Sequence, residues 1–172
     1  AEGAFLLEAG QFDWTGGLLQ GTVRVRDTRV SVPQELGAAS TLRLVGAGNR
    51  LVQNRSSTTT LWVEGTIAWG AAKLTAEPGA ENRGVIRLES SANDHLDRGS
   101  RLDCGLAGLV NSPGAVIRAA AGAGDPRFIT GRLVNRGHVD AQTETEFVGT
   151  LEAAGGTYAG VLLVHDSELE IT

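Results

Sequence analysis

A short phrase built on asparagine recurs along this chain of 172 residues, and in three of its four copies the dipeptide Leu-Val precedes the asparagine. The asparagines of the four copies are Asn54, Asn82, Asn111 and Asn135, which follow one another at steps of 28, 29 and 24 residues. Repeats of this length are typical of solenoid proteins, in which each repeat forms one coil and equivalent residues lie above one another. The period therefore predicts a stacked architecture of about seven coils.

A second phrase occurs near both ends of the chain. Residues 12–21 read Phe-Asp-Trp-Thr-Gly-Gly-Leu-Leu-Gln-Gly, and residues 151–160 read Leu-Glu-Ala-Ala-Gly-Gly-Thr-Tyr-Ala-Gly. Three glycines match in register between the two copies. This correspondence predicts that the first and last coils are built alike.

The segments between these phrases alternate apolar and polar residues, as in Val23-Arg24-Val25 and Leu42-Arg43-Leu44. Alternation with a period of two indicates half-buried β-strands, and no long segment has the spacing of an amphipathic helix. The hairpin dipeptides Asn-Gly and Asp-Gly are absent, which disfavours a β-sandwich. We therefore predict an all-β parallel β-helix over residues 1–172, with a β-sandwich as the alternative.

The recurring asparagines have a physical role in such a stack. An asparagine side chain carries two N–H donors and one acceptor oxygen, so stacked copies can form a continuous hydrogen-bonded ladder. The sequence thus predicts a structural ladder through Asn54, Asn82, Asn111 and Asn135. The apolar residues expected inside the coils include Ile86, Leu88, Val110, Ile117, Val134 and Val139.

Composition excludes several classes of function. The net charge is −5 and no basic stripe is present, so we expect no nucleic-acid partner. No segment approaches the ~20 apolar residues of a membrane-spanning helix, so we expect no membrane insertion. The three histidines are far apart and Cys104 is the single cysteine, so the sequence offers no metal-binding pattern. We predict no cofactor.

Residues 90–103 interrupt the repeat and predict a polar loop insertion. This interval contains Asp94, His95, Asp97 and Asp103, which are candidate catalytic residues for acid–base work on a polysaccharide. A loop that projects from a solenoid is also expected to be polar without any catalytic role, and can instead bind a partner. Trp62 is out of phase with the apolar residues beside it, which makes it a candidate platform for stacking a sugar ring.

The glycine phrase at residues 12–21, the apolar alternation and the phrase Leu133-Val134-Asn135-Arg136-Gly137 together resemble the repetitive β-solenoid segments of bacterial surface proteins. These include autotransporter passenger regions and filamentous-hemagglutinin-like adhesins. The resemblance implies an extracellular or cell-surface structural or adhesive module, such as a stalk, fibre subunit or adhesin segment. A carbohydrate-active β-helix enzyme and a glycan-binding β-helix are the alternatives.

The two termini have no amphipathic helix that would cover the ends of a solenoid. Both terminal segments are predicted to be β-strands, and an uncovered strand edge presents unpaired backbone N–H and C=O groups. We therefore expect self-association, or contact with neighbouring repeats, through the ends of the stack. Surface glycans are a further expected partner.

Overall fold

The computed structural model describes residues 4–66, 70–90, 99–122, 124 and 127–171. Every element in these residues is a β-strand, and all pairings between named strands are parallel. The strands are β1 Ala4–Asp13, β2 Thr22–Val32, β3 Ser40–Val45, β4 Asn49–Asn54, β5 Thr59–Gly65, β6 Ala72–Ala76, β7 Glu81–Asn82, β8 Val85–Ser90, β9 Ser100–Asp103, β10 Leu109–Asn111, β11 Val116–Ala119, β12 Arg127–Asn135, β13 His138–Ala153 and β14 Thr157–Ile171. The predicted parallel solenoid is confirmed, and the β-sandwich alternative is wrong.

One run of strands, which we call face 1, passes through every coil. It consists of β1, β2, β3, β5, β8, β11, β13 and β14, paired in that order. Residues at equivalent positions of these strands lie above one another in a column. The column whose side chains are on the inner side of face 1 consists of Phe5, Val23, Leu42, Leu61, Ile86, Ile117, Val139 and Tyr158. Face 1 thus has eight stacked strands, one more than the seven coils that the repeat length approximately predicts.

Two further runs complete each coil. Face 2 has the inward column Asn49, Leu74, Leu102, Ile129, Phe147 and Val164. Face 3 has the column Asn54, Asn82, Asn111, Asn135, Ala153 and Ile171. Because like positions repeat in every coil, the apolar columns of faces 1 and 2 merge into one continuous core.

The burial of the core residues follows the alternation that the sequence displays. Ile86, Leu88 and Ile117 are fully buried, and Val139 is 2% exposed. Val110 is the exception, because Leu109 and Asn111 point inward and place Val110 on the outer side, opposite Glu81. The prediction of an inward Val110 is therefore wrong. Val134 is directly opposite Val110 and is likewise on the outer side, but only 8% of its surface is exposed, so it is buried as predicted.

The predicted polar insertion at residues 90–103 is described only at its two ends. Strand β8 ends at Ser90, and β9 begins at Ser100. Leu102 is fully buried and belongs to the core. Residues 100–103 thus form one of the stacked strands of face 2, and the expected loop cannot extend through them. Residues 91–98 lie outside the described residues.

Glycines two residues after two of the four ladder asparagines, Asn82 and Asn135, allow adjacent coils to approach closely. A Cβ at Gly137 would lie 2.4 Å from the carbonyl oxygen of Ala115 and 2.5 Å from that of Ser112. A Cβ at Gly84 would lie 2.3 Å from the carbonyl oxygen of Thr59. These contacts are too short for any side chain, which explains why the sequence Asn-Arg-Gly occurs twice in this chain.

Candidate functional site

The predicted asparagine ladder is present and fully buried. Asn54 donates to the side-chain oxygen of Asn82 across 3.0 Å. Asn82 donates in the same way to Asn111 across 3.0 Å, and Asn111 donates to Asn135 across 2.9 Å. All four side chains are 0% exposed, so each bond replaces water that the amide loses on burial.

The ladder has one direction, since every member donates toward the C-terminal end. At that end Asn135 donates to the carbonyl oxygen of Thr157 across 3.3 Å. At the other end the buried side-chain oxygen of Asn54 has no hydrogen-bond partner among the described residues. The position that would supply one is occupied by Val32, which is opposite Asn54 in the adjacent coil. The ladder is a structural device with no accessible chemistry.

Trp62 lies on the outer side of face 1, as its phase predicts. Arg43 and Arg87 occupy the equivalent positions in the two adjacent coils. Their guanidinium carbons lie 3.9 Å and 4.8 Å from the centroid of the indole ring. The ring is half-buried and makes cation–π contacts with both arginines. A sugar ring that stacks on Trp62 would have to displace a guanidinium group.

These arginines are themselves paired. A guanidinium nitrogen of Arg43 lies 3.3 Å from a carboxylate oxygen of Glu64, and a guanidinium nitrogen of Arg87 lies 2.6 Å from a carboxylate oxygen of Glu89. One coil further along the same column, Arg118 lies 2.9 Å from Asp140. On face 1, neighbouring carboxylates therefore neutralise Arg43, Arg87 and Arg118, whereas the Nε atom of Arg24, at the equivalent position of β2, has no hydrogen-bond partner among the described residues.

Of the four candidate catalytic residues, the structure describes Asp103 alone. Asp94, His95 and Asp97 lie outside the described residues, so their proposed role stays a prediction. Asp103 accepts a hydrogen bond from the backbone N–H of Gly105 across 3.0 Å and lies 3.5 Å from Lys73 Nζ. These contacts place Asp103 on the outer side of face 2.

Face 2 carries a small pocket that the amino-acid sequence does not indicate. It has a volume of about 140 Å³ and is lined by Lys73, Arg101, Phe128, three alanines and Gly99. Lys73 and Arg101 are opposite each other on β6 and β9, and Arg101 is opposite Phe128 on β12. The three residues are 28 and 27 positions apart, so only the register of the coils shows that they meet.

The C-terminal end of the stack forms a wider apolar groove. Its lining includes Leu151, Tyr158, Leu162, Val164, Leu169 and Ile171. Leu169 is 55% exposed and Ile171 is 80% exposed, although both occupy inward columns. In the described structure no further strand covers these side chains.

Several charged groups stabilise turns of the stack. Glu81 accepts hydrogen bonds from Arg83 across 2.8 Å and from Ser112 across 2.7 Å, and the Arg83 bond is the main reason why the pKa of Glu81 is lowered. The backbone N–H of Ser57 lowers the pKa of Glu35 in a similar way. Burial strongly raises the pKa of the Cys104 thiol, and the adjacent Asp103 adds to this effect.

The described residues include no group of three or more His, Cys, Asp and Glu side chains arranged to hold a metal ion. They also include no helix that is long and apolar enough to span a membrane.

Comparisons with protein-family models, with curated proteins and with solved structures find no match to this chain. The fold assignment therefore rests on strand register and on the asparagine ladder.

Proposed function

We propose that this chain is a non-catalytic structural or adhesive module of an extracellular or cell-surface protein. The observation that carries the proposal is the continuous stack of parallel strands from β1 to β14, in which a buried ladder joins four of the coils. A stack in which each coil contacts mainly its neighbours is a rod whose length grows with the number of coils. Such a rod suits a stalk, a fibre subunit or an adhesin segment. The extracellular location rests on the resemblance to bacterial surface proteins.

The ends of the stack support association with another coil of the same cross-section. Among the described residues β1 pairs with β2 alone, and β14 pairs with β13 alone. Phe5 at one end is 60% exposed, and Leu169 at the other end is 55% exposed. Apolar area of this kind contributes about 25 cal/mol per Å² when it is removed from water. The covering coil would come from a second copy or from a neighbouring repeat.

Among the residues that the structure describes, no contact favours the enzyme alternative. Asp103 makes contacts that hold a carboxylate in place at a turn, with Lys73 and with the backbone of Gly105. The other three acid–base candidates lie outside the described residues. We therefore do not advance a polysaccharide-cleaving activity.

Static light scattering between ~1 and ~100 μM tests the assembly proposal, because association depends on concentration by mass action. We expect the mean molar mass of the parent chain to rise over this range. Leu169→Lys places a charge in the end groove and should keep the chain monomeric. Leu106→Lys is the matched control, because Leu106 is 99% exposed and lies outside this groove. A constant monomer mass for the parent contradicts association of the isolated chain through its ends.

A further inference from the structure

Among the described residues, face 2 carries positive charge that carboxylates pair only in part, in a chain whose net charge is −5. Arg101 on β9 is exposed and Lys73 on β6 is half-buried, while Arg50 on β4 is exposed beside Thr75. Within the described part of the chain, Asp103 is the one carboxylate at ion-pair distance from any of these cations, and it pairs with Lys73. Face 2 also carries Arg29, which is opposite Arg50 and lies 2.6 Å from Glu77, so Arg101 and Arg50 are the face 2 cations that have no carboxylate at ion-pair distance in the described part of the chain.

The register of the coils forces two of these cations together. Lys73 and Arg101 are directly opposite on neighbouring parallel strands, which are ~4.8 Å apart. Like charges opposite each other in a sheet destabilise it. Asp103 offsets part of this repulsion at Lys73, and an anion bound beside Arg101 would offset the remainder.

The pocket beside them has the size for such an anion. Its volume of about 140 Å³ is well above the ~10–15 Å³ that holds a single water, so a polyatomic group fits. The lining alanines and Phe128 provide apolar walls, and the two cations provide N–H donors. A few polar groups in an otherwise apolar concave surface are the usual composition of a ligand site.

Phe128 orients Arg101 for this role. The guanidinium carbon lies 5.0 Å from the centroid of the phenyl ring. A cation–π contact uses the flat face of the guanidinium group and leaves the N–H donors in its plane available. Those donors match the oxygens of a carboxylate or sulfate group in a bidentate arrangement.

We propose that the pocket formed by Lys73, Arg101 and Phe128 binds a sulfate or carboxylate group of an acidic glycan. The anionic group lies between the two cations, and the sugar ring that carries it contacts Phe128 and the alanines. This binding is independent of association through the ends of the stack, because the pocket lies on the outer side of face 2.

Calorimetric titration with dextran sulfate, with polygalacturonate as a carboxylated polymer, with unsulfated dextran and with inorganic sulfate tests the proposal. The salt concentration is ~0.15 M, at which the Debye length of ~8 Å suppresses diffuse attraction. We expect the parent to bind dextran sulfate and not dextran. Arg101→Gln should weaken binding by about tenfold or more, since a hydrogen bond to a charged group is lost. Lys73→Gln should also weaken the binding of dextran sulfate. It replaces Arg101→Gln in the test if that variant does not fold.

Arg118→Gln is the matched control, because Arg118 is a surface arginine of face 1 that is paired with Asp140. It should bind dextran sulfate as the parent does. Equal losses in Arg101→Gln and Arg118→Gln would overturn the proposal, because they indicate diffuse attraction. Absence of binding to both dextran sulfate and polygalacturonate would overturn it as well. If inorganic sulfate alone binds as tightly as the sulfated polymer, the assignment to a glycan is wrong.

Discussion

Asn111 donates from its side-chain nitrogen to the side-chain oxygen of Asn135 across 2.9 Å, although the two residues are 24 positions apart in the chain. Both side chains are fully buried, and Asn82 donates to Asn111 from the other side. The bond therefore joins two coils and is one step in a ladder that spans four. Its strength depends on both residues having identical positions in successive coils.

Replacing Asn111, a central member of this ladder, should destabilise the folded chain. Asn111→Ala deletes the acceptor of Asn82 and leaves the buried oxygen of Asn135 without its donor. A buried polar group that loses its partner costs ~1–3 kcal/mol, so we expect a loss of at least ~2 kcal/mol in the free energy of unfolding. Urea denaturation measures it. Gln142→Ala, which removes an exposed amide, is the control and should change stability by less than ~0.5 kcal/mol.

The close approach of coils at Gly137 gives a second prediction. Gly137→Ala places a methyl group 2.4 Å from the carbonyl oxygen of Ala115, and the two coils must separate. We expect a destabilisation of ~2 kcal/mol or more, measured by thermal or urea unfolding. Gly37→Ala is the matched control, because a Cβ at Gly37 meets nothing within 4 Å. Equal stabilities of the two variants would show that the coils have room for a methyl group at Gly137.

Glu81 should make stability depend on acid pH. Its pKa in the folded state is lowered, chiefly by the hydrogen bond from Arg83. The resulting stabilisation is complete above the ordinary glutamate pKa of ~4.3 and is lost as the pH falls through the lower folded value. We expect the melting temperature of the parent to decrease below about pH 4.3 and Glu81→Gln to flatten part of this decrease. Glu170→Gln, at an exposed strand position, is the control and should keep the parent profile.

The thiol of Cys104 should not react with thiol reagents while the chain is folded. The thiol is 1% exposed, and burial raises its pKa, so the reactive thiolate is scarce at neutral pH. We expect a disulfide reagent to label Cys104 only after unfolding in urea. Rapid labelling of the native protein would mean that the core opens at β9.

The asparagine ladder could be predicted from sequence because stacking demands the same residue at the same position in each coil. Asn54, Asn82, Asn111 and Asn135 therefore form a repeat that the amino-acid sequence displays directly. The phase of single residues was harder to predict. Val110 is as apolar as its neighbour Leu109, but Asn111 must point inward to join the ladder, and alternation then directs Val110 outward.

The Lys73–Arg101 pocket could not be predicted in this way. The coils differ in length, since Phe5 to Val23 is a step of 18 residues whereas Ile86 to Ile117 is a step of 31. Uneven turns obscure which outward residues are opposite one another. Lys73, Arg101 and Phe128 also share no residue type that would mark them as a column.

Small-angle X-ray scattering of the isolated chain at increasing concentration tests the structural role most directly. Seven steps between eight rungs at ~4.8 Å each give a stack of ~34 Å for one copy. If the chain is a module that joins others through its ends, each added copy contributes eight rungs, so the maximum particle dimension will grow in increments of ~38 Å while the cross-section stays constant. A maximum dimension that matches a single copy at every concentration would contradict this role for the chain.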